Sequence, residues 1–123
     1  MGGRLTTHVL DTVHGCPAAG MLIDLWRLEP TETQDMQRVH LKTVCTNADG
    51  RVDEPLLADE ELTAGVYELV FAVGAYFNAQ PVTTTLPPFL DGVPVRFGIA
   101  DPTAHYHIPL LISPWAYSTY RGT

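Results

Sequence analysis

Two histidines near the end of the chain, His105 and His107, flank Tyr106 and are spaced so that they could act together. In a β-strand, residues i and i+2 point to the same face and lie about 6.5 Å apart along the chain. Two imidazoles placed in this way can bind a metal ion such as zinc or share a proton-transfer task. The simpler interpretation is a pair of surface or interface histidines with hydrogen-bonded nitrogens. An H-x-H pair alone is too short a motif to decide between the two.

Two residues from other parts of the chain could join this pair. His8 shares a predicted strand face with Thr6 and Leu10, and histidine is the side chain most often used for acid–base chemistry. Arg51 follows the turn that ends at Gly50, where a guanidinium group could hold an anionic or carbonyl-rich ligand. The alternatives are a half-buried histidine bonded to backbone and an exposed turn arginine.

The segment 115–120 contains three aromatic residues, a composition that favours a strand continuing nearly to the end of the chain. Arg121 comes directly after this segment. A flexible, solvated tail is the alternative environment for Arg121.

The elements that must position these residues are short strands. Clusters of Gly, Pro, Asn and Asp divide the chain into short pieces, which is typical of an all-β sandwich. Residues 47–50 predict a hairpin turn in which Gly50 can adopt a positive φ. Alternation of side-chain types predicts strands over residues 21–28, 38–45, 66–73 and 93–100, and short helical turns are predicted over 59–62 and 74–79.

The segment 108–112 is apolar on both faces apart from Pro109. Both faces of such a strand must be buried in a small sandwich. The core buries one face and a partner subunit would bury the other, so we expect a homo-oligomer. Proline has no N–H to donate, so Pro109 is expected at an edge or a bulge.

The composition narrows the class of protein. A chain of 123 residues fits one domain, 1–123. The net charge is -7, and no basic stripe that could bind nucleic acid is visible in the sequence. No apolar run is long enough to span a membrane and no signal sequence is visible, so a cytoplasmic location is expected. Cys16 and Cys45 are too few for a disulfide scaffold; two free thiols are expected, and a single disulfide stays open.

Four blocks of the sequence together resemble the 5-hydroxyisourate hydrolases. The last two, which contain H-Y-H-I-P-L-L and Y-S-T-Y-R-G-T, are the most specific. The blocks are residues 5–11, 49–51, 105–111 and 117–123. The resemblance implies a transthyretin-like sandwich of two four-stranded antiparallel sheets with one short helix. It also implies a homotetramer with active sites at the dimer–dimer interface, and no cofactor.

The reaction implied by the resemblance is hydrolysis of 5-hydroxyisourate to 2-oxo-4-hydroxy-4-carboxy-5-ureidoimidazoline in urate catabolism. By position, the family's essential His, Arg and His correspond to His8, Arg51 and His107. Which histidine is the general base stays open. The substrate-binding residues implied by the resemblance are Tyr117, Tyr120, Arg121, Gly122 and Thr123.

One departure from the family and two alternatives remain. The family usually ends in Ser, whereas Thr123 keeps the hydroxyl group and adds a methyl group that tightens the pocket. One alternative is a non-catalytic, transthyretin-like carrier of small hydrophobic ligands. The other is a zinc hydrolase that uses His105, His107 and a third ligand, such as His8 from a neighbouring chain.

Overall fold

The computed structural model describes residues 2–33 and 35–123. Two β-sheets pack face to face, with a short helix after the sixth strand and a 3₁₀ turn at Asp59–Glu61. The elements are β1 (Arg4–Asp11), β2 (Cys16–Pro17), β3 (Leu22–Pro30), β4 (Met36–Cys45), β5 (Leu57–Ala58), β6 (Gly65–Ala72), α1 (Val73–Asn78), β7 (Gly92–Ile99), β8 (His105–Ile112) and β9 (Tyr117–Thr119).

The strands are divided between two sheets. Sheet I has the order β2-β1-β8-β9, with β5 also pairing with β1, and sheet II has the order β4-β3-β6-β7. The β1–β8 pair is parallel, and the other pairs of the described strands are antiparallel. Strands β1 and β8 are therefore central in sheet I, and each contributes a whole face to its outer surface.

Burial decides which residues of β8 point outward. Tyr106, Ile108, Leu110 and Ile112 lie in the core, with at most 6% of each exposed. Because burying a large apolar side chain contributes roughly 1.5–3 kcal/mol, the core face of this strand is strongly specified. The intervening residues, beginning with His107, are thereby held on the outer face of sheet I.

Strand β1 follows the same alternation. Leu5 and Val9 are completely buried and Thr7 is 2% exposed, whereas Thr6 and His8 are half-buried on the opposite face. The buried hydroxyl group of Thr7 donates a hydrogen bond to the carbonyl oxygen of Ile108 at 2.7 Å. This bond helps to join the first strand to β8.

The predicted all-β sandwich with one short helix is confirmed, with two differences in detail. Sheet I has five strands rather than four, because the two-residue β5 adds to β1. The β1–β8 pair is parallel rather than antiparallel. The local pattern carries no information on the direction in which two segments from opposite ends of the chain will pair.

The local elements agree closely with the sequence patterns. The predicted strands correspond to β3, β4, β6 and β7, with ends displaced by one or two residues, and the two helical turns become the 3₁₀ turn and α1. The predicted turn at residues 47–50 is present and Gly50 has a φ of 72°. The turn is not a hairpin, because β4 before it pairs with β3 and Arg51 after it bridges to His8 of β1. Cys16 and Cys45 are both exposed free thiols. The described residues share one core; the domain 1–123 also includes Met1 and Gln34, outside the described residues, and stays a prediction.

Pro109 lies in an interior strand, which differs from the expected sheet edge. The N–H of Gly122 donates to the carbonyl oxygen of His107 at 2.8 Å, so the polar backbone groups of residues 107 and 109 point toward the C-terminal strand. Proline cannot donate there, and the β8–β9 ladder stops at Leu110 paired with Thr119. The hydroxyl group of Thr119 instead donates to the Pro109 carbonyl oxygen at 2.8 Å.

Candidate active site

An open cleft lies on the outer face of sheet I. Its volume is about 490 Å³, and it is lined by Thr6, His8, Arg51, His107, Pro109, Tyr120, Arg121, Gly122 and Thr123. A larger surface cleft of about 790 Å³ runs along residues 58–62 and 102–103, but its described lining contains neither histidine nor arginine. The larger cleft is lined instead by the exposed carboxylates of Asp59, Glu60 and Glu61, so the cleft that brings imidazole and guanidinium groups together is the first one.

The register of β1 against β8 brings the two cleft histidines together. Thr6 lies beside His107, and His8 lies beside Pro109. His8 and His107 are therefore diagonal neighbours on one face, with Cα atoms roughly 8 Å apart from ordinary strand spacing. Two imidazoles at this separation can contact opposite sides of one small planar ligand.

Arg51 is held next to His8 by the preceding turn. The N–H of Val9 donates to the carbonyl oxygen of Gly50 at 2.9 Å, and His8 and Arg51 form an isolated antiparallel bridge. A side chain at Gly50 would place its Cβ 2.5 Å from the Val9 carbonyl oxygen, so this close approach requires glycine. The strand and the turn therefore position the imidazole of His8 and the guanidinium group of Arg51 next to each other in the cleft.

The turn itself is stabilised by Asn47. The side-chain oxygen of Asn47 accepts hydrogen bonds from the N–H of Asp49 at 2.9 Å and of Arg51 at 3.1 Å. Its amide nitrogen donates to Asp53 at 2.9 Å. This Asx-type arrangement fixes the backbone of Arg51, while the guanidinium group has no carboxylate partner among residues 2–33 and 35–123 and is free to bind a ligand.

His107 is the histidine whose ionisation the cleft changes most clearly. Its Nδ1 atom lies 2.8 Å from the Thr6 hydroxyl oxygen. Burial lowers the pKa of His107 below its usual value, and the nearby positive charges of Arg51 and His8 lower it further. The neutral imidazole is therefore the dominant form at neutral pH, and it has a lone pair available to accept a proton.

The C-terminal residues form one wall of the cleft. Besides its backbone bond, Gly122 lies against the His107 ring: an added Cβ would be 2.6 Å from His107 Cδ2. The guanidinium group of Arg121 lies over the Tyr106 ring, 4.4 Å from its centre, and donates to the His105 carbonyl oxygen at 3.4 Å. These contacts hold the last residues along β8, although Arg121 itself stays exposed to solvent.

With this geometry described, comparison with known proteins identifies the family. The sequence model of the HIUase/Transthyretin family matches residues 5–122. The chain belongs to this family. A 5-hydroxyisourate hydrolase of Mesorhizobium japonicum is 60% identical over 122 residues, which cover 99% of this chain and 94% of that protein.

Solved structures also resemble nearly the whole chain. An (S)-allantoin synthase has a TM-score of 0.90 and 48% identity, covering 99% of this chain but 44% of that one. Sea bream transthyretin in complex with thyroxine has a TM-score of 0.80 and 28% identity, covering 98% of this chain and 95% of that one. The HIUase/Transthyretin fold therefore extends over the full length of the described chain.

Within this HIUase/Transthyretin family member, most of the predicted site residues do lie together. His8, Arg51, His107, Tyr120, Arg121, Gly122 and Thr123 all line the cleft. Tyr117 does not: it pairs with Ile112 at the far end of β9. Thr6 and Pro109 also line the cleft, although the sequence patterns do not assign them to it. The alternation that places Thr6 on the face of His8 is visible in the sequence.

His105 lies outside the cleft, exposed at the start of β8 and paired with Arg4. Among the described residues, no group of three or more His, Cys, Asp and Glu side chains is arranged to hold a metal ion. The Nδ1 atom of His107 is already bonded to Thr6. A zinc site at the two histidines would therefore require His107 Nε2 and ligands from a second chain.

Proposed function

We propose that the chain hydrolyses 5-hydroxyisourate to 2-oxo-4-hydroxy-4-carboxy-5-ureidoimidazoline in urate catabolism. The observation that carries this proposal is the meeting of His8, Arg51 and His107 in one open cleft. Relatives named 5-hydroxyisourate hydrolase, at 60% and 54% identity over nearly the whole chain, support the same function. Hydrolysis needs an activated water and a polarised carbonyl group, and these three side chains can supply both.

Arg51 has the role of an electrostatic clamp in this proposal. Its guanidinium group presents several donors in a rigid plane, which suits the carbonyl oxygens of a small planar heterocycle. As water adds to a ring carbonyl carbon, negative charge develops on the carbonyl oxygen. A fixed cation next to that oxygen stabilises the transition state more than the ground state.

The two histidines divide the proton transfers between them. His107, held neutral by burial and by the neighbouring positive charges, takes a proton from the attacking water. The tetrahedral intermediate then collapses, the ring C–N bond breaks, and the leaving nitrogen accepts a proton delivered by His8. Assigning His107 as the base follows from its depressed pKa, because a base must be unprotonated at the working pH.

The carrier alternative receives less support. The sea bream transthyretin that binds thyroxine shares the fold at 28% identity, well below the identity to the hydrolases. The cleft contains two imidazoles and a guanidinium group that has no carboxylate partner in the described part of the chain, which suit a polar ring better than a hydrophobic hormone. Fold similarity alone does not assign carrier function.

We also propose a homotetramer with the active sites at the dimer–dimer interface. The cleft is open to solvent on the outer face of sheet I, where Leu10 and Leu111 are half-buried and Tyr120 is 61% exposed. A second subunit on this face would exclude water from the cleft and strengthen its electrostatic interactions. Light scattering on the purified protein measures the assembly. The cytoplasmic location stays a prediction; no described helix is long and apolar enough to cross a membrane.

The decisive experiment follows the absorbance decay of freshly generated 5-hydroxyisourate, with and without a chelator. The wild-type protein should accelerate the decay in both conditions. His107→Asn should lower turnover by about 10²- to 10⁴-fold, the usual contribution of general acid–base catalysis. His105→Asn is the matched control, because His105 lies on the same strand face outside the cleft, and it should keep near-wild-type turnover.

Three outcomes would contradict the proposal. Wild-type protein that leaves the decay rate unchanged would favour the carrier. Loss of activity in the chelator, together with loss in His105→Asn, would favour the zinc hydrolase. Near-wild-type turnover in His107→Asn would remove His107 from the chemistry.

A further inference from the structure

Two adjacent threonines in β1 have opposite surroundings. Thr7 is buried and donates to a backbone carbonyl oxygen of β8, so its hydroxyl group serves the sheet. Thr6 faces the cleft, and its described side-chain hydrogen bond goes to the Nδ1 atom of His107 at 2.8 Å. The Thr7 hydroxyl group therefore stabilises the β1–β8 pair, whereas the Thr6 hydroxyl group contacts an imidazole of the candidate active site.

The His107 ring is contacted from both neighbouring strands. Thr6 is its partner residue on β1 and holds Nδ1. Gly122 is its bridge partner on the other side and approaches Cδ2 so closely that an added Cβ would be 2.6 Å away. Turning the ring over would exchange Nδ1 with Cδ2 and break the bond to Thr6. Among the described residues, Nε2 is the ring nitrogen that keeps no hydrogen-bond partner, and His107 lines the cleft.

A neutral imidazole has one N–H and one lone pair, and the partner of one nitrogen decides what the other can do. If the Nδ1–H donates to the Thr6 hydroxyl oxygen, then Nε2 has the lone pair and can accept a proton. If the Thr6 hydroxyl group donates to Nδ1 instead, Nε2 carries the hydrogen and cannot act as a base. The same contact at 2.8 Å therefore selects between two chemical functions.

We propose that Thr6 is a positioning residue for the hydrolysis, whose hydroxyl oxygen accepts the Nδ1–H of His107 and keeps the unprotonated Nε2 directed into the cleft. The inference rests on the proposed function, since it assigns His107 as the base. Thr6 does not itself take part in proton transfer to the substrate. It restricts the ring to one tautomer and one orientation, as orienting partners of catalytic histidines do.

The kinetic test compares three variants in the 5-hydroxyisourate assay. Thr6→Val has nearly the same shape without the hydroxyl group, and it should lower kcat by about 10- to 100-fold, part of the full acid–base contribution, while KM changes little. Thr6→Ser restores the hydroxyl group and should regain most of kcat. Thr7→Val is the matched control: losing its buried bond should lower Tm by a few degrees and leave kcat near wild type.

A spectroscopic test reads the tautomer directly. In protein with ¹⁵N-labelled histidine at pH 8, long-range ¹H–¹⁵N correlation spectra should show His107 protonated at Nδ1 in the wild type and in Thr6→Ser. In Thr6→Val, the population should move toward the Nε2-protonated form that free histidine favours. A merely structural role for Thr6 would leave this pattern unchanged.

Two results would overturn the inference. The first is wild-type kcat in a folded Thr6→Val protein, or equal losses in Thr6→Val and Thr6→Ser. The second is a wild-type spectrum in which Nε2 carries the proton. The spectra need no substrate, so they test the Thr6–His107 assignment even if the protein fails to hydrolyse 5-hydroxyisourate, and the two proposals fail separately.

Discussion

The backbones of His8 and Arg51 form an isolated antiparallel bridge. The imidazole of His8 on the first strand and the guanidinium group of Arg51 on a distant turn are therefore attached to adjacent backbone positions. The hydrogen bond between Val9 and Gly50 and the absence of a side chain at Gly50 allow this approach. The positive charge of Arg51 also reaches His107, where it lowers the pKa. In the proposed function, binding of the substrate and the basicity of His107 are therefore coupled through Arg51.

Replacing Arg51 should reveal this coupling. Arg51→Met should lower kcat/KM by about 10²- to 10³-fold, the typical effect of removing one transition-state donor. Arg51→Lys should be intermediate, because it keeps the charge without the planar fork. Arg4→Met is the matched control, since Arg4 lies on the same face of β1 as His8 but outside the cleft. Equal activity of Arg51→Met and Arg4→Met would contradict the clamp.

The acid side of the pH–rate profile should report the neutral form of His107. The pKa of His107 in the folded protein lies below the usual value of 6.5, so on the acid side kcat/KM should fall as the pH drops below 6.5 through the lowered pKa. In Arg51→Met, one of the causes that lower this pKa is gone, and the residual activity should be lost at a higher pH than in the wild type. A profile with its acid midpoint above 6.5 in the wild type would count against His107 as the base.

The His107 pKa also has a consequence for stability. The unfolded chain begins to bind a proton near pH 6.5, before the folded protein does, so this residue's contribution to stability is complete above that pH and decreases below it. Thermal unfolding measured from pH 8 to pH 5 should show a smaller loss of Tm in His107→Asn than in the wild type. Parallel Tm curves for the two proteins would show that no such linkage exists.

Gly122 should be intolerant of any side chain. In Gly122→Ala, the new Cβ would lie 2.6 Å from His107 Cδ2 and 3.2 Å from Cγ, so either the ring or the C-terminal wall must move. A displacement of this kind at a reacting group costs up to about 100-fold in rate, and we expect kcat to fall at least about 10-fold with little change in Tm. Gly98→Ala is the control, because its Cβ would meet nothing within 4 Å. Unchanged kinetics in both variants would show that the ring is not restrained by this contact.

The buried carboxylate of Asp11, which lies away from the cleft, should control the stability of the protein in acid. Asp11 is completely buried and accepts hydrogen bonds from Tyr76 at 2.7 Å and from the His14 ring at 2.6 Å. Burial opposes its ionisation, but these bonds and the backbone N–H groups of Val13 and His14 outweigh burial, so the pKa of Asp11 is lowered. Its stabilising contribution is therefore full above pH 3.8 and is lost as the pH falls through the lowered pKa.

The corresponding variant is Asp11→Asn, which should lower the free energy of unfolding by about 2–4 kcal/mol at pH 7, because it leaves a buried polar network incompletely paired. Urea unfolding measures this change. Asp101→Asn is the control: its pKa is lowered too, but it lies on the surface and its replacement should change stability little. Equal destabilisation by both substitutions would show that burial of the Asp11 cluster has no special importance.

Much of the candidate site could be predicted because its parts are local. Period-two alternation placed Thr6 on the face of His8, and the Asn47–Gly50 signal placed Arg51 directly after a turn. The resemblance of the closing block assigned the remaining cleft residues. Tyr117 was the exception, because its distance from the cleft depends on where β9 pairs along β8, and no local pattern encodes that register.

The sequence by itself determined the strands, the turn, and which side chains share a face, because these follow from the geometry of neighbouring residues. Only the tertiary structure decided that β1 and β8 run parallel with Thr6 opposite His107, that His105 is left outside the cleft, and that Gly122 lies against the His107 ring. The physical reason is that register and direction between distant strands are set by how all the buried side chains pack at once. One residue of slippage would have turned the imidazoles of β8 into the core.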